Sequence, residues 1–350
     1  MQSLLDQSAL SNLAEGLVRA AKKAGADAAD AIAVRSVAFG VDIREGQVEE
    51  SERSEGDDVG LRVFVGQRQA VVSTNDIART DPAVLAERAV AMAKVAPEDR
   101  FAGLADRDRL ARSFPDLDLL DRNIPEVSEL ERRARTAEAA ALAVKGVTKS
   151  GGASAGAGIS GMVLITSDGF HGSYLASHQS VSMVAVAGEG TGMERDYDHS
   201  SALHGSDLEA PEAIGQRAGE RAVRRLNPRK VKTQSVPVIF DWRLSNTLIS
   251  HLASACNGVS IARKSSFLKD KLGERIFAPG IRIVDDPLRP RGLRSHPFDG
   301  EGVAVQKMNL VEDGVLKSWF LDSATARELG LTTTGHAARG VSGPPSPIPS

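Results

Sequence analysis

The chain has 350 residues, 43 Lys and Arg against 46 Asp and Glu, a formal net charge of -3 and a single cysteine, Cys256. That length allows two or three domains with a sizeable core, and the near balance of charge argues against a dedicated nucleic-acid binder. One thiol excludes an internal disulfide and any multi-thiolate zinc or iron–sulfur site, and no run of about 18 apolar residues offers a membrane span.

The N-terminal stretch MQSLLDQSALSNLAEG lacks the basic and apolar regions of a secretory signal, which reads as a soluble, cytoplasmic protein. Residues 8–24 predict an amphipathic helix, because Leu10, Leu13, Leu17, Ala20, Ala21 and Ala24 recur at spacings of three and four before Gly25. Alternating segments follow at 31–45, 60–66 and 69–74, the last two joined by a hairpin tip at Gly66-Gln67. Asp81 and Pro82 then predict an N-cap and first turn of a helix running to Lys94. Residues 97–124 are rich in Asp, Arg and Pro without periodicity and read as a linker.

A third helix is expected over 125–144, followed by a flexible GGASAGAG stretch and a new alternating segment with a hairpin at Ser167-Asp168-Gly169. Residues 211–226 predict a helix and 227–234 a basic linker. The last part opens with a strand VPVIF (236–240) and a helix from Trp242 to Cys256. From Asn257 to Pro347 the chain is dense in Gly, Pro, Asp and Ser around one short strand (281–284), a loop system of the kind that forms binding or interface surfaces. It also holds a hairpin at Asp313-Gly314 and a short helix from Asp322 to Leu329, and ends in SGPPSPIPS, an extended tail that no core is expected to hold. The mixed order predicts an α+β, multi-domain chain of helices, antiparallel sheets and hairpins. The divisions fall at 1–112, 120–229 and a β-rich 233–350, and no repeat of fixed period is visible.

Four groups of residues invite a chemical reading. Gly156-Ala157-Gly158-Ile159-Ser160-Gly161 matches a dinucleotide-binding pattern, but a strand-like MVLITS follows where a helix N-terminus is needed, so strand entry is preferred. Asp196, Tyr197, Asp198 and His199, with His204 nearby, suggest metal ligation but read better as a solvated loop or capping cluster. Asp285, Asp286, His296, Asp299 and Glu301 form a carboxylate-rich set that a peptidase reading makes a metal, general-base or peptide-cleft cluster; the plainer reading is turn capping before Pro287 and a tight turn at Asp299-Gly300. Ser250 and His251 cannot form a triad with Asp241, because adjacent helical side chains diverge by about 100°.

The segments LNPRKVKTQSVPVIFD, NGVSIARKSSFLKDKLG, APGIRIVDDPLRPRGLRSHPFDGEG, VEDGVLKSWFLDS and TTTGHAARGVSGPPSP, with GLRVFVGQRQAVVSTND upstream, resemble the PmbA (TldE) branch of the TldD/PmbA metallopeptidase family, historically called modulators of DNA gyrase. In that family TldD-like proteins carry a His-Glu-x-x-x-His helix that holds zinc. PmbA-like proteins share the fold, lack the motif and assemble with them. The resemblance places the degenerate motif in DWRLSNTLISHLASACNG, with its positions at or near Ser250, His251, and Ser254 or Ala255. The composition agrees: residues 242–269 hold one histidine and no Asp or Glu, where a zinc peptidase needs several ligands and a carboxylate base. The resemblance implies a chain that carries no catalytic or metal residue, a TldD-like zinc-bearing paralogue as partner, a peptide or unfolded-protein substrate, and no nucleic acid or membrane. A homodimer is allowed when the chain is alone. PmbA-like proteins extend beyond the GPPSP element, so the last domain is expected to be truncated relative to the family. Two other functions remain open: a homo-oligomeric scaffold, and an independent peptidase built on the Asp285, Asp286, His296, Asp299 and Glu301 set.

Overall fold

The computed structural model describes residues 6–350; the first five residues of the stretch read as lacking a signal lie outside them. The centre of the molecule is one antiparallel sheet of six strands: β1 (Ala28–Arg44), β2 (Gln47–Val65), β3 (Arg68–Thr74), β4 (Val147–Thr166), β5 (His171–Ala187) and β6 (Glu194–Ala202). Their order is β3-β2-β1-β4-β5-β6. Helices α1 (Ser8–Lys23), α2 (Pro82–Val95), α3 (Val127–Leu142) and α4 (Pro211–Arg224) all lie on one face. Strand periodicity dictates this: Ala29, Ala31 and Ala33 pack under α1 and α2, and Val41 and Ile43, on the same side of β1, pack under α3 and α4.

This arrangement is an architectural duplication. Helix–strand–strand–strand–helix occurs twice, and the two units meet where β1 pairs with β4, Asp30 opposite Thr166 through Ile43 opposite Ala153. The buried positions of α1 (Leu10, Ala14, Leu17, Val18, Ala21) and α3 (Leu130, Ala134, Ala137, Glu138, Ala141) have the same spacing. The sequence shows no repeat because different residues satisfy the same geometry. At the site matching Val18, Glu138 accepts backbone hydrogen bonds from Glu45 (2.8 Å) and Gly46 (2.7 Å).

Several expectations are corrected. The glycine-rich stretch expected to be flexible lies inside β4, paired on both sides. Its alanines 153, 155 and 157 are buried under the helices, and a Cβ on Gly158 would come within 2.8 Å of the Val37 carbonyl, so close strand approach explains that glycine. β2 begins far earlier than position 60, since its first half is polar on both faces and carries no alternation. The Asp196–His199 cluster is a strand, not a solvated loop. Segment 236–240 forms no strand ladder: its residues belong to no regular element and are exposed, Ile239 to 95%. The proline-rich end is docked: Ser346–Pro347 (β11) pairs with Ala337–Ala338 (β10), and the Asn257 side chain donates to the Pro347 carbonyl at 2.5 Å.

Other predicted features stand as read. Asp81 caps α2 by accepting from the Ala83 amide, and Gly66-Gln67 joins β2 to β3. Residues 97–124 lack regular elements, yet they form a strap stitched to the last third through the Leu110–Val303 bridge and to β5 through the Ser177 amide, which donates to the Leu119 carbonyl. The last third contains α5 (Trp242–Ala255), α6 (Gly258–Ala262), α7 (Ser323–Leu329) and a small sheet of β7 (Ile283–Asp285), β8 (Met308–Glu312) and β9 (Val315–Leu316). Asp313 and Gly314, both at positive φ, make the tight β8–β9 turn. This third covers the sheet face opposite the helices, where Ile32 and Leu164 pack against Phe170 and Phe298.

Candidate functional site

Helix α5 starts at Asp241, whose carboxylate accepts from the Arg243 amide, and buries Leu252, Ala253 and Cys256 against the core of the last third. Ser250, His251 and Ser254 point to solvent and Ala255 is half-buried. The donor set at these positions is two hydroxyls, one imidazole and a methyl group, which does not fit a tetrahedral zinc ion. Among the described residues, no group of three or more His, Cys, Asp or Glu side chains converges to hold an ion. Burial pushes the Cys256 thiol up to about 12, which leaves it neutral and inert. The outer side of the same helix and the segment before it expose Phe240, Trp242, Leu244, Leu248 and Ile249.

The carboxylate-rich set is dispersed into separate roles. Asp285 accepts from His336 Nε2 at 3.0 Å and from the Ser350 amide at 2.8 Å. Asp286 caps the turn by accepting from the Leu288 amide, and its other oxygen meets Lys307 at 2.9 Å; the lysine holds its pKa down. His296 has one ring nitrogen 2.8 Å from the Arg294 carbonyl, and burial lowers its pKa. Asp299 is buried and accepts three backbone hydrogen bonds, from Glu301 and Val303 (2.9 Å each) and Ala337 (3.1 Å). Asp299 and His296 line a cavity of about 290 Å³ with Tyr174, Arg294, His336 and Arg339. Glu301 instead turns into the seam between the sheet and the last third, where its Oε2 accepts from the Ser323 amide at 2.9 Å.

That seam holds residues the sequence reading did not single out. Arg62 on β2 donates to Asp30 on β1 at 2.5 and 3.0 Å, and Arg339 from the last third approaches the same carboxylate at 2.5 Å. Arg62 lies 4.0 Å from Glu301. Burial disfavours the charge on Asp30, but Arg339 and Arg62 outweigh it and hold its pKa low. Asp299 has no such cation: burial, then the neighbouring Glu301, push it up to about 8, against its backbone hydrogen bonds. Glu301 is raised too, chiefly by burial. The signal for this cluster was present in the sequence as Asp30 and Arg62, single charges inside the apolar runs AADAIAV and GLRVFV.

On β6, Asp196 and Asp198 face α4 and are held by arginines. Arg217 and Arg221 reach Asp198 at 2.5 and 2.7 Å, and Arg243 from α5 reaches Asp196 at 2.8 Å. These contacts tie the last third to the edge of the sheet and leave the aspartates no free lone pairs aimed at a common point.

Three family models match in order: the PmbA/TldA metallopeptidase domain 1 over residues 29–93, the central domain over 119–226 and the C-terminal domain over 233–350. The metalloprotease PmbA of Escherichia coli O157:H7 is 36% identical over 314 residues, 89% of this chain and 69% of that protein. The PmbA homolog of Haemophilus influenzae is 36% identical over 322 residues, 91% of this chain and 71% of its own. A solved structure from Bacteroides thetaiotaomicron, named as a modulator of DNA gyrase, superposes with a TM-score of 0.87 at 27% identity, covering 93% of this chain and 75% of that one. TldE from Thermococcus kodakarensis shares the fold at a TM-score of 0.82 and 21% identity, over 96% of this chain and 76% of its own.

Proposed function

Because this chain belongs to the PmbA/TldD metallopeptidase family, we propose that it acts as a non-catalytic subunit of a zinc metallopeptidase that cleaves extended or unfolded peptides. The observation that supports this reading is the donor set of α5: Ser250, His251, Ser254 and Ala255, at or near which the resemblance puts the zinc motif, offer one imidazole and no carboxylate. One imidazole replaces neither a tetrahedral site, whose binding is worth on the order of 10 kcal/mol, nor the base that deprotonates the bound water. A TldD-like paralogue supplies zinc and base, and this chain completes the chamber around the peptide. The separate partners of Asp285, Asp286, Asp299 and Glu301 favour the same division of labour, since they set the four carboxyls in different structural roles.

Co-expression with a zinc-helix paralogue tests the proposal. Co-elution of the two chains with peptide hydrolysis, and no hydrolysis by this chain alone, is the expected result. Self-association without capture of the paralogue would favour a homo-oligomeric scaffold instead.

A further inference from the structure

The seam between the sheet and the last third carries an imbalance of buried charge. Four carboxyls, Asp30, Asp299, Glu301 and Asp322, are buried there with only two guanidiniums, Arg62 and Arg339. Arg62 hydrogen-bonds Asp30 at 2.5 Å, and Arg339 lies at the same distance from it without a hydrogen bond to any of its guanidinium nitrogens. Arg62 reaches Glu301 only at 4.0 Å, and among the described residues no cation lies within ion-pair distance of Asp299. Asp322 caps α7, accepting from the amide and hydroxyl of Thr325 at 2.8 and 2.6 Å. Ionising all four would leave uncompensated negative charge on side chains that are almost wholly buried.

We infer that the Asp299–Glu301 pair retains one proton in the folded chain, and that this proton latches the last third onto the bare face of the sheet. Asp299 is the joint of the latch. Its three hydrogen bonds fasten the 299–303 turn to itself and to the 337–339 segment, which carries Arg339 to Asp30 on β1. Opening this segment admits water and frees the proton. Between the unfolded carboxylate range, from 3.8, and about 8 in the closed chain, the open state binds fewer protons. Opening therefore becomes easier by roughly tenfold per pH unit within that window and levels off above it.

The other titrating or charged groups facing the seam act differently. Asp30 and Arg62 keep their charges across this range, whereas burial and the neighbouring Arg62 lower the pKa of Arg339 against the pull of Asp30. His296 is depressed by burial below 6.5 and works in the opposite sense, at lower pH. Asp285 and His336, bonded to each other at 3.0 Å, flank Ala337.

The test is amide hydrogen exchange of segments 299–304 and 336–340 in the full chain, from about pH 6.5 to about pH 9, corrected for base-catalysed intrinsic exchange, with infrared detection of a protonated-carboxyl band. The inference expects the band at neutral pH and its loss above about 8, with protection falling close to tenfold per pH unit up to that point and then flattening. Asp299→Asn removes the slope; Glu301→Gln, which keeps an acceptor for the Ser323 amide and removes the like charge, shifts its end point to lower pH. Both wild-type measurements stand even if a variant fails to fold. Absence of the band at neutral pH, or protection independent of pH over this range, overturns the latch.

Discussion

Asp30 on the second element of the chain and Arg339, close to its end, meet with Oδ1 and Nη1 2.5 Å apart, both side chains buried in the seam. The contact joins residues more than three hundred positions apart, and Asp30 shares it with Arg62 from the neighbouring strand. Arg339→Met removes one of two buried cations from Asp30 and leaves it to Arg62. It is expected to destabilise the chain by about 1–3 kcal/mol, read as a lower urea midpoint. A loss below about 1 kcal/mol would place the interaction in the class of solvent-exposed pairs.

Two helical glycines should respond to the same substitution with opposite signs. Gly215 on α4 sits where an added Cβ would come 2.0 Å from the Ala137 carbonyl of α3, whereas nothing lies within 4 Å of the Cβ position at Gly16 on α1. Gly16→Ala should stabilise by about 0.5–1 kcal/mol through reduced backbone entropy of the unfolded chain. Gly215→Ala should destabilise by about 1–3 kcal/mol by forcing the helices apart. Thermal unfolding of the two variants side by side checks the contrast.

Acid should loosen the contact between β6 and α4. Burial opposes the charges on Asp196 and Asp198, but hydrogen bonds from Arg243 to the first and from Arg217 and Arg221 to the second outweigh it and depress both pKa values below 3.8. A depressed carboxylate contributes stability that is complete above the unfolded value and is lost as pH falls through the folded one. Urea midpoints should accordingly decline below about pH 4, and Asp198→Asn should show a shallower decline at lower starting stability.

Cys256 should resist alkylation in the native chain at neutral pH, since burial holds its thiol near 12. Mass spectrometry after a brief iodoacetamide pulse should find the thiol unmodified in buffer and fully modified in denaturant.

Much of the fold was legible where local chemistry and tertiary structure agree. The Asp81 cap, the Gly66-Gln67 tip and the Asp313-Gly314 turn were read correctly because their backbone geometry selects residue types. The first half of β2 was not, because it exposes both faces and presents no period, and the glycine run of β4 looked mobile because close packing and flexibility call for the same residue. VPVIF has the composition of a strand, but a strand also needs a neighbour, which no local pattern reports. Within the candidate site, the poverty of ligands on α5 was visible in the sequence alone. The seam was signalled only by the lone charges of Asp30 and Arg62 in apolar runs, since their meeting with Glu301 and Arg339 is a property of topology.

Zinc titration of this chain, alone and together with a TldD-like zinc-helix protein, bears most directly on the functional reading. A companion subunit takes up no tightly bound zinc by itself and gives one zinc per pair when mixed. A stoichiometric ion held by the isolated chain, and lost on His251→Ala, would contradict the account.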